Sequence, residues 1–253
     1  MTDGPVEVYL VRHGETWFNK LDRVQGWCGT PLTPKGFAVA EAIGRAFAAG
    51  GVDFAAAYSG DMLRHHETMT SLLKGMGSEL RPVSLFGLRE MSFGAWEGMP
   101  NRFMWEAAYR VLGVSSTEEA LGAGHSLIDI YDIFSRTNPD TDYPSDTVRQ
   151  AADRALSALD DIAAAEAVPG ATPAVLVVSS GVTIACILDR LGAELRALHG
   201  PDVHALRLSY GRPGRPRPQV DLQVALDDVA ALTGVRIEPE AVIDHMLVRW
   251  DGT

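Results

Sequence analysis

The residue types best suited to chemistry stand where the first apolar segment of the chain ends, in residues 10–16 (LVRHGET). Residues 6–11 form a nearly continuous apolar run rich in β-branched side chains, which predicts a buried strand. Arg12 and His13 then stand at the carboxyl end of a strand, the edge where open α/β sheets bind ligands. Arg12 can hold a phosphate or carboxylate through two hydrogen bonds, and Gly14 allows close approach to the backbone. Because a lone histidine at a strand end is more often structural than reactive, these residues alone predict an anion site and no particular reaction.

The composition limits what this site can serve. The chain has 253 residues, of which 46% are hydrophobic, and a formal net charge of −11 at pH 7. Such a charge repels polyanions, so we expect no nucleic-acid partner. Two cysteines, Cys28 and Cys186, are too few for a disulfide scaffold. With no apolar stretch of about 18 residues and no signal-like N-terminus, we expect a cytoplasmic protein without a membrane partner.

Predicted strands and helices alternate through the first third of the chain. A helix is predicted from Thr33, where Thr-Pro precedes apolar residues at helical spacing and two glycines follow at 50–51. A second helix is predicted over residues 61–76, with Asp61 as its acidic N-cap. Strands are predicted over residues 54–58 and 80–85. This alternation indicates a parallel sheet covered by helices.

The alternation stops between about residues 97 and 144. Helical segments separated by glycine and serine are predicted there over residues 102–112, 117–121 and 127–134. We expect them to form an inserted helical cap.

Regular alternation resumes after the cap. The predicted elements are a long amphipathic helix over 145–165 that begins at Ser145 and Asp146, a strand over 174–179 and a helix over 181–191. In the tail, about residues 192–253, the predictions are a loop over 212–218, a helix over 221–233 and a closing strand over 241–250. The whole chain, residues 1–253, is therefore expected to be one domain. Its fold class is a three-layer α/β sandwich with a mostly parallel central sheet and the helical cap inserted.

A series of motifs in this order resembles the histidine phosphatase superfamily, also called the phosphoglycerate-mutase-like fold. The motifs are Arg12-His13-Gly14 with Asn19, residues 25–36 (QGWCGTPLTPKG), Arg64 and Thr68 within residues 59–68, residues 88–98 (LREMSFGAWEG), and residues 175–184 (VLVVSSGVTI). The similarity is ordered and runs from about residue 6 to residue 190. A lone Arg-His-Gly is a weak signal, whereas such a series is highly specific.

The resemblance implies a two-step phosphoryl transfer. His13 attacks phosphorus to form a phosphohistidine, and water then releases inorganic phosphate. Arg12, Arg64 and Asn19 orient the phosphoryl oxygens and neutralise their charge. Glu90 donates a proton to the leaving oxygen, so it must be protonated at the working pH, which burial against its apolar neighbours favours. This scheme requires no metal ion and no cofactor.

The resemblance also places Ser180 where the family carries its second histidine, which donates a hydrogen bond to the phosphoryl group. We expect Ser180 and Gly181 to remain phosphate contacts. A serine hydroxyl is shorter than an imidazole and cannot be cationic. Loss of one preorganised donor typically lowers the rate by about 10²- to 10³-fold, so slow turnover or a changed chemistry is expected.

Several functions fit this pattern. The first is metal-independent hydrolysis of a small phosphomonoester through His13. A phosphoglycerate mutase is less favoured, because the longer basic, proline-rich insertion of such mutases has no match here. A phospho-ligand-binding or regulatory protein and an enzyme repurposed for acid–base chemistry on a non-phosphate substrate remain alternatives, because of Ser180.

Other features carry less weight. Residues 65–67 (HHE) lack the His-Glu-x-x-His spacing of a metal site, and adjacent helix residues point apart, so we interpret them as ordinary helix residues. The expected partner is a small phosphorylated molecule, and a homodimer is suggested by fold-level analogy alone.

Overall fold

The computed structural model of the protein describes residues 6–191, together with the backbone of two further strands, Ala205–Ser209 and Leu247–Asp251. The strand predicted over residues 241–250 overlaps the second of these, and its first six residues lie outside the described part of the chain. The loop predicted over 212–218 and the helix predicted over 221–233 also lie outside it.

The described residues form one six-stranded sheet. Its strands are β1 (Glu7–Arg12), β2 (Phe54–Ser59), β3 (Val83–Ser84), β4 (Ala174–Ser179), β5 (Ala205–Ser209) and β6 (Leu247–Asp251), in the spatial order β3-β2-β4-β1-β6-β5. Strands β3, β2, β4 and β1 are parallel to one another. Strand β6 runs antiparallel to β1, and β5 is parallel to β6. The prediction of a mostly parallel α/β sheet is confirmed.

Helices cover both faces of this sheet. They are α1 (Trp17–Lys20), α2 (Pro34–Ala49), α3 (Leu63–Met76), α4 (Asn101–Leu112), α5 (Thr117–Gly122), α6 (Leu127–Arg136), α7 (Val148–Glu166) and α8 (Gly181–Arg190). Helices α2 and α3 pack together on one face of the sheet, while α7 and α8 pack on the other. No helix among the described residues is long and apolar enough to cross a membrane.

Continuous apolar runs build β1 and β4 because both faces of the sheet are covered. In β4, Val175 and Val177 belong to the core beneath α7 and α8. The intervening Leu176 and Val178 belong to the core beneath α2 and α3. Successive side chains of a strand point to opposite faces, so a central strand must be apolar at every position. The same burial holds β1 and β4 side by side and places their carboxyl ends at one edge.

Helices α4, α5 and α6 occupy the segment between the third and fourth strands, as the sequence predicts. Their buried side chains, among them Met104, Ala120 and Ile130, join the core that also contains Leu10 of β1 and Ile184 of α8. These helices are therefore continuous with the main core. Whether residues 97–144 cap the site remains a prediction.

Two predicted helix starts are wrong for the same reason. Helix α3 begins at Leu63 after an N-cap, Met62, that makes no side-chain capping bond. Asp61 instead forms an ion pair with Arg89, whose Nη2 donates to Asp61 Oδ2 at 3.0 Å. The guanidinium holds the pKa of Asp61 below its ordinary value, mainly through this hydrogen bonding. The long-range charged partner thus competes successfully with a local cap.

Helix α7 shows the second case. Its N-cap is Thr147, which forms a capping box with Gln150. Asp146 is engaged elsewhere, because its Oδ2 accepts from Arg154 Nη2 and from the Ser92 backbone N–H, each at 3.0 Å. The strand predicted over residues 80–85 is also shorter than expected, since only Val83–Ser84 pairs with β2 at the edge of the sheet.

Candidate active site

His13 follows β1 directly and is held by the backbone on both sides. Its N–H donates to the Ser179 carbonyl at the end of β4 at 2.9 Å. Its ring Nδ1 lies 2.8 Å from the Gly14 carbonyl oxygen. A carbonyl can only accept, so Nδ1 carries the proton and Nε2 of the neutral ring carries a lone pair. Burial, and then the charges of Arg64 and Arg12, hold the pKa of His13 well below its usual value. The ring is therefore neutral, with Nε2 as its basic atom.

Arg64, on the first turn of α3, is the largest fully buried side chain of the site at 1% exposure. Its Nη2 donates to the Gly26 carbonyl at 2.7 Å, and its Nη1 donates to the Cys28 carbonyl at 3.2 Å. Burial lowers the pKa of Arg64 to about 10, which leaves the guanidinium charged at neutral pH. Its buried Nε has no protein hydrogen-bond partner within the described residues. A buried cation with an unused donor suits an anionic ligand.

The loop that supports Arg64 is itself held by Glu97. One carboxylate oxygen accepts from the backbone N–H groups of Trp27 and Phe93, and the other accepts from those of Gly26 and Cys28, at 2.8–3.1 Å. The loop N–H groups thus face Glu97, while its carbonyls face Arg64. The motif containing Glu97 is visible in the sequence, but this role is not, because the contacts span about 70 residues.

Ser180 and Gly181 stand between the two arginines. Ser180 is the N-cap of α8, and its side chain makes no capping bond. Arg64 Nη2 lies 3.4 Å from Ser180 Oγ. On the other side, a Cβ at Gly181 would lie 3.1 Å from Arg12 Nε, so the guanidinium of Arg12 packs close to this glycine. The structure therefore brings Arg12, His13, Arg64, Ser180 and Gly181 together where β1 and β4 end.

Glu90 occupies the N-terminus of α8. Its Oε1 accepts from the backbone N–H groups of Met91 and Thr183 and from the Thr183 hydroxyl, at 2.8–2.9 Å. Its Oε2 accepts one bond, from the Val182 N–H at 3.1 Å. The side chain is buried, as expected, but three backbone N–H groups and a hydroxyl donate to its carboxyl oxygens, so the apolar surroundings expected to favour its protonated form are not what the carboxyl group contacts. Oε2, with a single donor, is the oxygen that retains a lone pair for a proton.

Asn19 lies in α1, apart from these contacts. Its Oδ1 accepts from the Thr16 N–H and hydroxyl at 3.0 and 2.9 Å, completing a capping box. The amide nitrogen remains as its means of binding an anion. Thr68 links the motifs instead, because its hydroxyl donates to the Arg64 carbonyl and accepts from the Gly14 N–H.

His65 is the residue of this site that sequence reasoning missed. It is 0% exposed, and its Nε2 lies 2.7 Å from Ser180 Oγ. Its ring centroid is 5.6 Å from that of His13. The neighbouring His66 is exposed, as expected of an ordinary helix residue. The two side chains point apart, as predicted for adjacent helix residues, and the side chain of His65 points into the site.

The described residues include no group of three or more His, Cys, Asp or Glu side chains placed to share a metal ion. Cys28 stands beside the site, where burial and Glu97 raise the pKa of its thiol to about 12. The thiol is therefore protonated at neutral pH.

The sheet edge where β1 and β4 end gathers a neutral histidine, two arginines and a buried carboxylate, and guanidinium groups of this kind suit an anionic ligand. Residues 8–136 match the model of the histidine phosphatase superfamily (branch 1), and the chain belongs to this family.

Named relatives and solved structures agree with this assignment. The chain is 33% identical over 95 residues to the 2,3-bisphosphoglycerate-dependent phosphoglycerate mutase of Treponema pallidum (strain Nichols), a match covering 37% of this chain and 38% of the mutase. The chain thus spans little more than a third of the length of the curated mutases from this organism.

The fold extends further than that sequence match. The phosphoglycerate mutase of Bacillus anthracis superimposes with a TM-score of 0.67 at 32% identity, covering 75% of this chain and 81% of that one. A mycobacterial glucosyl-3-phosphoglycerate phosphatase shares the fold, with a TM-score of 0.51 at 22% identity. The superposition covers 74% of this chain and 79% of the phosphatase.

Proposed function

We propose that the protein is a phosphatase that hydrolyses a small phosphomonoester through a phosphohistidine on His13. The observation that carries the proposal is the state of the His13 ring. The Gly14 carbonyl holds its Nδ1–H, and burial beside Arg64 keeps the ring neutral, so that Nε2 can act as a nucleophile.

The first step forms the Nε2–P bond and breaks the bond between phosphorus and the ester oxygen. The leaving oxygen takes a proton from Glu90, whose Oε2 has a lone pair available to carry it. In the second step, Glu90 takes a proton from a water molecule that attacks phosphorus, and the N–P bond breaks to release phosphate.

Two guanidinium groups support the charge of the transferring phosphoryl group. Arg12 lies against Gly181. Arg64 is held by the carbonyls of the 26–28 loop, so its guanidinium need not reorganise when the ligand binds. We assign to the Asn19 amide group a further hydrogen bond, donated to a phosphoryl oxygen. The scheme assigns no step to a metal ion.

Ser180 sets the expected rate. By the family resemblance it replaces the second histidine, and a missing donor would slow turnover by about 10²- to 10³-fold. Ser180→His alone is a poor test of this idea, since the His65 ring lies 2.7 Å from Ser180 Oγ and fills the space an imidazole needs. The informative variant is therefore Ser180→His combined with His65→Ala, and a large rise in rate would support descent from a faster phosphatase.

Phosphoglycerate mutase activity is the second candidate, because the mutases of Treponema pallidum and Bacillus anthracis are 33% and 32% identical to this chain over the parts that match. It differs from hydrolysis only in the acceptor of the phosphoryl group. Measuring interconversion of 3- and 2-phosphoglycerate, with 2,3-bisphosphoglycerate added, separates the two.

The deciding experiment measures phosphate release from p-nitrophenyl phosphate and a panel of small phosphomonoesters, with His13→Ala as the inactive variant and His66→Ala as the matched control. Quenching the reaction with alkaline detergent, using substrate labelled in its phosphoryl group, should trap a label on His13 that is stable in alkali and lost in acid. Release that His13→Ala does not abolish, or an acid-stable label elsewhere, would exclude this mechanism. If neither hydrolysis nor mutase activity is found, a phospho-ligand-binding protein or a repurposed acid–base enzyme becomes the better interpretation.

A further inference from the structure

His65 has no part in the mechanism above, yet the fold buries its imidazole inside the site. Helix α3 carries it directly after Arg64, and its Nε2 approaches Ser180 Oγ to 2.7 Å across about 115 residues of sequence. Burying a polar ring is costly unless its nitrogens are used. Its position therefore calls for a reason beyond helix formation.

The backbone around His65 is shaped to admit the ring. A Cβ at Gly60 would lie 2.1 Å from His65 Nδ1 and 2.6 Å from Cε1. Gly60 is not among the residues with positive φ, so its own conformation does not require glycine. A Cβ would also lie 2.9 Å from the Leu88 carbonyl oxygen, so glycine at this position leaves room for both the imidazole and the neighbouring backbone.

The tautomer of His65 follows from its surroundings. Nδ1 is buried and has no hydrogen-bond partner among the described residues. Buried N–H groups without a partner are rarer in proteins than buried acceptors with an unused lone pair, so we assign the proton to Nε2. Burial, followed by the charge of Arg64, holds the pKa of His65 well below its usual value, and the ring is neutral. His65 Nε2–H therefore donates to Ser180 Oγ.

This donation determines what Ser180 can do. Its Oγ accepts from His65 and, more weakly, from Arg64 Nη2 at 3.4 Å. A hydroxyl oxygen has two lone pairs, so with both engaged the remaining capacity of Ser180 is to donate its own proton. No acceptor for that proton lies among the described side chains that contact Oγ.

We propose that His65 is a positioning residue that orients the Ser180 hydroxyl as a hydrogen-bond donor to a phosphoryl oxygen. The proposal rests on the phosphatase function of the same site. Gly60, His65 and Ser180 act as one unit: the glycine makes room, the imidazole orients the hydroxyl, and the hydroxyl contacts the anion.

The test compares His65→Gln with His65→Met, two side chains of similar length. The Gln amide can donate to Ser180 Oγ, whereas the Met thioether cannot. We expect His65→Gln to keep kcat within about threefold of the wild type and His65→Met to lower it by about tenfold or more, with a smaller change in KM. Affinity for orthovanadate, which mimics the five-coordinate transition state, should fall in parallel with kcat. His66→Met is the matched control, and thermal melting verifies folding of each variant.

Coupling to Ser180 separates this role from a general packing effect. In the Ser180→Ala background, His65→Met should change kcat and vanadate affinity by less than about threefold, because the hydroxyl it orients is gone. Equal effects of His65→Met with and without Ser180 would overturn the proposal, as would equal rates for His65→Gln and His65→Met.

The two proposals fail in distinguishable ways. Wild-type phosphate release that His65→Met leaves unchanged would overturn the role of His65 and leave the phosphatase function standing. Vanadate binding that depends on both His65 and Ser180, without phosphate release from any ester, would support the anion contact and overturn the phosphatase function. A wild-type protein that neither releases phosphate nor binds vanadate would overturn both.

Discussion

Glu97 supports the site from outside it, so its replacement should disturb both stability and anion binding. Its carboxylate accepts four backbone N–H groups, from Gly26, Trp27, Cys28 and Phe93. In Glu97→Gln, one oxygen becomes an NH₂ group, so at least two of these donors face another donor. A hydrogen bond to a charged group contributes about 1.5–3 kcal/mol. Loss of two such bonds would cost about 3–6 kcal/mol of the free energy of unfolding. Glu97 is only partly buried, so water can bind some of the freed N–H groups, and we expect a net loss of about 3 kcal/mol.

The measurement is urea unfolding followed by circular dichroism, with the exposed Glu106→Gln of α4 as the matched control. With a urea dependence of about 1–3 kcal/mol per M, a loss of about 3 kcal/mol lowers the urea concentration at the unfolding midpoint by about 1–3 M. Because the 26–28 loop carbonyls hold Arg64, phosphate affinity should also weaken by about tenfold. If Glu97→Gln and Glu106→Gln unfold at the same urea concentration and bind phosphate equally, Glu97 does not support the loop and the reasoning fails.

Three further predictions concern the 26–28 loop, the buried histidines and the absence of a metal requirement. Gly26→Ala should destabilise the protein by about 1–3 kcal/mol in thermal melts. The new Cβ would lie 2.3 Å from the backbone carbonyl oxygen of Met91, which cannot rotate away. An unchanged melting temperature would show that the loop is free to move. The free energy of unfolding should decrease as the pH drops below about 6.5. In the unfolded chain, His13 and His65 bind a proton there, whereas burial in the folded protein lowers their pKa values and keeps both rings neutral. Each contributes a slope of up to about 1.4 kcal/mol per pH unit, so His65→Gln should reduce the acid sensitivity in urea titrations, and identical slopes would contradict this. Phosphate release should persist after dialysis against EDTA, whereas a loss restored by a divalent cation would require another mechanism.

The sequence by itself determined the framework of the fold. Apolar runs such as residues 174–179 report burial on both faces of a strand, and these patterns are local. Since parallel strands end at one edge, the same patterns bring His13 after β1 beside Ser180 after β4. The ordered motifs also indicated the family, which the match over residues 8–136 shows.

Only the tertiary structure decided which polar groups meet. Asp61 and Asp146 carry good local capping signals, but Asp61 binds Arg89, 28 residues away, and Asp146 binds both Arg154 of α7 and the backbone N–H of Ser92, which is 54 residues away. His65 and His66 are adjacent residues of the same type, and the sequence does not show which of them is buried. In the fold, His65 is the buried one, and it lies against Gly60. The contacts with Arg89, Ser92 and Ser180 join segments far apart in the chain. A charged or buried partner outweighs a local capping preference of about 1 kcal/mol. Periodicity can therefore predict that a side chain is buried, while its hydrogen-bond partner is set by how the helices and strands pack.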